Sequence, residues 1–285
     1  MRRSLLMLGL ICLPAMGTPG RDALAGAWLL PEGSGQIITT ATVAESRNAY
    51  DAQGRLRPTP AWRKIETRAY VEHGLRDWLT LTAEAGGFDF HGAAQADERR
   101  SLLILEAKAG LPLVAPAQQG PQYRGAGIGA LGARVKLLDA GDAVVSFEAG
   151  LRAATPASRV FLDMRQSPQF DARLLVARNY ELFGMQGFTE AQIGWRSAGQ
   201  TGDEARLDTT IGLRPLPRVL LLAQSFTAVA PGAQATTRLA AQKLQLSGVF
   251  EATKNLSVQL GVGFAPAGAN APQEKALISG LWFRY

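Results

Sequence analysis

The chain has 285 residues, of which 47% are hydrophobic, and a formal net charge of +6. Lys and Arg are interspersed with Asp and Glu and form no basic stripe, so we expect no nucleic-acid partner. The single cysteine, Cys12, lies in a segment that we expect to be removed, which excludes a secreted domain stabilised by disulfides.

The N-terminus has the three parts of an export signal. Residues 1–3 are basic, residues 5–16 are mostly apolar, and residues 23–25 (Ala-Leu-Ala) form a small-x-small cleavage site. The apolar run is too short to cross a membrane as a helix. We therefore predict a cleaved signal peptide over residues 1–25 and a mature chain that begins at Gly26.

The rest of the chain is a series of segments, each about ten residues long, in which apolar and polar side chains alternate. In residues 256–264, for example, Leu, Val, Leu, Val and Phe alternate with Ser, Gln, Gly and Gly. Successive side chains of a strand point to opposite faces, whereas a helix would repeat at intervals of three and four. Each segment is therefore predicted to be a strand with one apolar face.

Short turns alternate with long polar loops along these strands. The turns are at residues 74–77, 139–142, 184–187, 215–217 and 253–255, and the loops are at 47–61, 88–126, 154–169, 197–203, 229–237 and 265–274. Bacterial outer-membrane barrels have short periplasmic turns, long outer loops and an even number of strands.

Counting strands from residue 36 gives twelve. We predict an all-β fold, a transmembrane antiparallel up-and-down β-barrel over residues 26–285. The apolar stretch 99–114 is expected to be an outer-loop or inserted-strand segment, and two more spanning strands there would make fourteen.

The chain ends in an aromatic strand. Leu281, Phe283 and Tyr285 share one face, and we predict that they close the barrel against the strand near residue 36 and direct its insertion. Outer-membrane lipid and the barrel-insertion machinery are the implied partners. Parity places Trp282 and Arg284 inside. A soluble barrel or sandwich is the alternative, because alternation alone does not tell which face looks outward.

Charged residues occupy the strand faces opposite to the apolar ones. The predicted pore-lining candidates are Lys64, Glu66, Arg68, Glu72, Arg134, Lys136, Glu148, Arg152, Arg206, Asp208, Arg214 and Arg284. Such residues tune selectivity in an open pore, or they pair across a narrow one and block it. Twelve strands lie between filled eight-stranded and open sixteen-stranded barrels, so we expect a narrow lumen. The arginine excess favours anionic or sugar-like solutes.

The two histidines, His73 and His91, have no neighbouring cysteine, nucleophile or ligand-spaced cluster. We therefore predict no catalytic, cofactor-binding or metal-binding residues, and no enzyme activity.

Residues 26–38, 70–81 and 129–137 resemble outer-membrane barrels of the phenol meta-pathway transporter type. The resemblance is closer to the barrels encoded with exopolysaccharide (biofilm) biosynthesis genes. It implies a Gram-negative channel that passes a small solute or a nascent surface polysaccharide. A structural or anchoring barrel without an open pore, or an uptake channel for small hydrophobic (aromatic) compounds, is the alternative.

Overall fold

The computed structural model describes residues 26–93, 120–162, 164, 167–197, 203–230 and 239–285. The predicted signal peptide and the stretch 99–114 lie outside these residues. The strands are β1 (Gly35–Tyr50), β2 (Leu56–Arg76), β3 (Leu79–Gly92), β4 (Gln122–Asp139), β5 (Ala143–Ala154), β6 (Gln169–Leu182), β7 (Met185–Arg196), β8 (Glu204–Leu216), β9 (Val219–Ala230), β10 (Leu239–Glu251), β11 (Leu256–Ala269), β12 (Ala271–Pro272) and β13 (Lys275–Arg284). A short helix, α1 (Pro156–Arg159), follows β5.

The sheet closes on itself because β1 pairs with both β2 and β13. Ile37 lies opposite Phe283, and Gly35 and Tyr285 exchange backbone hydrogen bonds of 2.9 and 3.0 Å. All neighbouring strands are antiparallel, and the two-residue β12 only extends the pairing of β1. The predicted twelve-stranded, antiparallel, up-and-down barrel is therefore confirmed.

The short turns lie together at one end of the barrel, which we call the turn end. They comprise residues 77–78, 140–142, 183–184, 217–218 and 252–255. The opposite end, the loop end, carries the longer connections, including the residues 155–168 that contain α1.

Two of the predicted loops, 47–61 and 265–274, are mostly strand. β1 runs to Tyr50, and β11 runs to Ala269. The buried Tyr50 donates a hydrogen bond from its hydroxyl to the carbonyl oxygen of Ala265 (3.0 Å). This cross-strand contact and continued backbone pairing outweigh the local turn-forming residues, which is why the sequence misplaced these boundaries.

The apolar strand faces point outward. Leu131, Ile193, Leu260 and Leu277 are 71%, 65%, 64% and 61% exposed. A soluble barrel would bury such side chains, so the outer surface has the character expected of a lipid-facing wall. The outward-facing Arg178 lies beside the turn end, opposite Ala143, and pairs with Asp142 at 3.0 Å. No helix in the described ranges is long and apolar enough to cross a membrane.

The cost of a charge on the outer face should depend on its depth. Leu260 lies about 13 Å along β11 from its first residue, near mid-height, whereas Leu182 ends β6 at the turn end. We expect Leu260→Arg to lower the free energy of unfolding by about 2–4 kcal/mol and Leu182→Arg by about 0–1 kcal/mol. Urea unfolding in lipid vesicles measures both, and equal losses would contradict a lipid-facing outer wall.

Candidate functional site in the barrel lumen

The residues before β1 fold into the barrel from the turn end. We call residues 26–34 the lumenal segment. Its outer part is held at the rim, where the N–H of Gly33 donates to the carbonyl oxygen of Gly74 (2.8 Å) and Glu32 pairs with Arg76 (2.6 Å). Its inner part is enclosed, since Ala27 is 0% and Leu30 is 4% exposed.

Side chains from separate strands bind the backbone of the lumenal segment. The N–H of Ala27 donates to the carboxylate of Glu190 on β7 (2.8 Å), and Arg134 on β4 donates to the carbonyl oxygen of Gly26. The N–H of Leu30 donates to the hydroxyl of Thr80 on β3 (3.3 Å). A segment that lies outside the sheet thus has its buried backbone groups satisfied by the barrel wall.

Apolar side chains fill the lumen around this segment. Trp28 packs against two buried clusters and meets the ring of Phe188 edge-on at 5.9 Å. One cluster contains Phe188, Leu220, Leu222, Val249 and Trp282, and the other contains Ala27, Val144, Leu175 and Ala177. The half of the lumen near the turn end therefore contains a packed hydrophobic core.

A buried charge cluster lies above this core. Arg134, whose side chain is 4% exposed, pairs with Glu72 at 2.9 Å and with Glu148 at 2.6 Å. The hydroxyl of Tyr70 donates to Glu72 (2.9 Å). Because Arg134 also binds Gly26, it links the wall charges to the lumenal segment.

Towards the loop end, the wall carries a network of ion pairs. The pairs are Lys64–Glu66, Arg68–Glu66, Arg68–Glu84, Arg173–Asp171, Arg196–Asp171, Arg196–Glu204, Arg206–Glu204 and Arg206–Asp208. The side chain of Arg152 faces the same space and makes no hydrogen bond or ion pair with any residue that the structure describes.

An aromatic cluster lies on the lumenal side of the loop end. The rings of Phe88 and Tyr123 are 4.7 Å apart, and those of Tyr123 and Phe161 are 5.2 Å apart. Phe90 lies 5.2 Å from Phe161 and stacks on Trp62 at 5.7 Å. Phe161 belongs to the connection after β5, so this loop folds against the wall formed by β2, β3 and β4.

The predicted pore-lining residues all lie on inward faces of their strands, at three levels. Lys64, Glu66, Arg68, Arg152, Arg206 and Asp208 lie towards the loop end, Glu72, Arg134 and Glu148 lie in the middle, and Lys136, Arg214 and Arg284 lie at the turn end. The structure brings most of them into ion pairs, including Arg214–Glu251 (2.8 Å) and Lys136–Asp139 (3.1 Å). That they line an open pore stays a prediction.

The remaining predicted residues lie on the outer face. Leu281, Phe283 and Tyr285 are about half exposed there. Tyr285 stacks on His73 with ring centroids 6.1 Å apart, at the rim of the turn end. His91 pairs with Asp89 at 2.7 Å. The residues described contain no group of three or more His, Cys, Asp or Glu side chains arranged to hold a metal ion.

The lumenal segment and the inward apolar residues were missed by sequence reasoning. Residues 26–34 have no periodicity, so nothing in the sequence places them inside the barrel. One signal was available, because residues 219–226 are apolar on both faces apart from Gln224 and Ser225. Leu220 and Leu222 supply the inward half of this pattern.

Solved structures with a similar fold are outer-membrane barrels. The COG4313 outer membrane channel from Pseudomonas putida F1 has a TM-score of 0.64 and 14% identity, and the match covers 95% of this chain and 100% of that one. The β domain of the Bordetella autotransporter BrkA has a TM-score of 0.50 and 11% identity, covering 89% and 100%. No protein-family model and no curated protein matches the sequence. At these low identities the structural likeness shows a shared fold alone.

The buried charge cluster should be far more sensitive to substitution than the exposed one. Arg134→Met leaves Glu72 and Glu148 buried without a cation, so we expect the free energy of unfolding to fall by about 3–5 kcal/mol. Arg68→Met is the matched control, because Arg68 also pairs with two carboxylates but its side chain is 43% exposed. Its loss should be below about 1 kcal/mol. Chemical unfolding in vesicles compares them, and equal losses would refute a dry cluster at Arg134.

Proposed function

We propose that this chain is an outer-membrane channel of a Gram-negative bacterium that passes a small solute, and that the lumenal segment controls its opening. In this proposal residues 1–25 are a cleaved export signal, the turn end is periplasmic and the loop end is extracellular. The outer membrane and its lipid are the setting, and the barrel-insertion machinery is a transient partner that recognises the terminal strand.

The observation that carries the proposal is the lumenal segment itself. Backbone hydrogen bonds with Gly74 hold its residues 33–34 at the rim, and its inner residues are held by side-chain contacts rather than by strand pairing. Such a segment can move without breaking the closed sheet, whereas a wall strand cannot. Displacing it would open the turn end and connect the charged upper lumen to the periplasm.

The likeness of the fold to an outer-membrane channel of about the same length supports the channel role. The charged wall above the segment supports a polar solute, since charged side chains can bind and release ions and hydroxyl groups. A nascent surface polysaccharide is a larger candidate that would require the lumenal segment to be fully displaced.

The aromatic cluster at the loop end favours a second candidate, an uptake channel for small hydrophobic or aromatic compounds. The rings of Phe88, Tyr123 and Phe161 provide an apolar surface at the extracellular mouth, and the core around Trp28 provides another at the periplasmic end. The remaining alternative is a purely structural barrel, in which neither region ever opens.

Trp28→Ala should open the channel. Truncating a fully buried tryptophan costs about 3–5 kcal/mol. Trp28 is partly buried, and about half of that cost would still raise the population of the displaced segment more than about tenfold. We expect wild-type protein in planar lipid bilayers to show brief single-channel steps, and Trp28→Ala to show longer and larger ones.

Trp78→Ala is the control, because Trp78 is 57% exposed in a turn and belongs to neither hydrophobic cluster. It should behave as wild type. Heat-modifiable migration on gels verifies folding of each variant. A correctly folded Trp28→Ala barrel that stays silent would overturn the channel and leave the structural reading.

A further inference from the structure

The half of the lumen near the loop end has one more cation than its carboxylates neutralise. Seven cations face six carboxylates there: Lys64, Arg68, Arg152, Arg173, Arg196, Arg206 and Lys243 against Glu66, Glu84, Asp171, Glu204, Asp208 and Glu274. Within the described chain every one of these carboxylates has a cation within 4 Å, and Arg152 is the cation without one.

The surroundings of Arg152 are themselves positive. Arg196, Arg206 and Arg68 repel its guanidinium electrostatically, and Glu84 attracts it. A guanidinium has five N–H donors and no acceptor. The position is therefore suited to an anion that several of these groups bind together.

An unsatisfied acceptor lies directly beside this unpaired donor. Gln169 is opposite Arg152 in the register of β5 and β6, so their side chains project from the same face at neighbouring positions. Gln169 is 4% exposed, and its side-chain carbonyl oxygen accepts no hydrogen bond from the described residues. The Nε of Arg206 and the Oδ1 of Asp208 are also buried without a hydrogen-bond partner among the described residues, and the Oδ1, like the oxygen of Gln169, can accept only from a donor.

Buried polar groups in folded proteins almost always have partners, so the buried oxygen of Gln169 and the buried Nε of Arg206 define part of what a ligand must supply. The half-buried guanidinium of Arg152 adds an unpaired cation beside them. Arg152 and the Nε of Arg206, whose terminal nitrogens already pair with Glu204 and Asp208, are suited to an anionic acceptor. The oxygen of Gln169 requires a donor such as a hydroxyl. We propose that Arg152, Gln169 and Arg206 form a binding site for a hydroxylated carboxylate, of which a monomeric sugar acid is the best-fitting class.

The site deepens the proposed function, on which it rests for the route by which the ligand arrives. It lies above the core of the lumenal segment, near the ends of β5 and β6 at the loop end. A solute entering from the loop end would therefore meet it before it reached the closed half of the lumen. The site would concentrate sugar acids there and select against neutral sugars.

Three small probes separate the requirements of the site. Glucuronate carries both a carboxylate and hydroxyls, glucose lacks the carboxylate, and cyclohexanecarboxylate lacks the hydroxyls. Saturation-transfer difference NMR on the full barrel in nanodiscs, with each probe titrated, measures their dissociation constants. We expect glucuronate to bind about tenfold more tightly than either of the others, as charge-assisted and neutral hydrogen bonds add.

Variants assign the two halves of the site. Arg152→Gln should weaken glucuronate binding about tenfold and leave glucose unchanged. Gln169→Leu should weaken glucuronate binding and leave cyclohexanecarboxylate unchanged. Arg178→Gln removes the same charge from the outer face and should leave all three constants as in wild type.

The proposal is overturned if wild-type barrel binds the three probes equally, a comparison that needs no variant to fold. It is also overturned if folded Arg152→Gln keeps the glucuronate affinity of the wild type. Failure of the channel role is distinguishable, because a barrel that is silent in bilayers but binds glucuronate would retain the site without conduction.

Discussion

Closure of the sheet between β1 and β13 is the constraint on which the rest of the structure depends. An open sheet in a bilayer would leave a row of N–H and C=O groups without partners, at a cost of several kcal/mol for each group. Pairing of β13 with β1 removes that edge and converts one face of every strand into an interior. The strand number then fixes the width of this interior, and twelve strands enclose more space than wall side chains alone fill.

Different kinds of residue fill this space at different heights along the barrel axis. The lumenal segment and inward apolar residues occupy the turn end, Arg134 and its carboxylates occupy the middle, and a network of ion pairs occupies the loop end. Arg134 connects the first two layers, because it neutralises wall carboxylates and binds the backbone of Gly26. The packed core near the turn end and the polar space above it are thus parts of one assembly.

The strands of the barrel wall could be predicted from the sequence, whereas most of the contacts that fill the lumen could not. Alternation with a period of two is a local property of the sequence. It therefore predicted the number of strands, the positions of the turns and the outward orientation of residues such as Phe283. The same parity placed Trp282 inside, where its indole N–H donates to Gln259 (3.0 Å). The contact between Ala27 and Glu190 joins residues 163 positions apart and leaves no local trace. Loop boundaries failed for a related reason, since cross-strand contacts such as that of Tyr50 outweigh turn-forming residues.

The position of the lumenal segment is the central claim, and cysteine cross-linking tests it most directly. Cys12 is the only cysteine in the sequence, so a processed chain carrying Leu30→Cys and Thr80→Cys has just two thiols. In the structure the N–H of Leu30 lies 3.3 Å from the hydroxyl oxygen of Thr80. Dibromobimane, which fluoresces when it bridges two nearby thiols, should link this pair as it links a wall pair made by Ile37→Cys and Phe283→Cys. Fluorescence from the wall pair with none from the Leu30 and Thr80 pair would contradict the account.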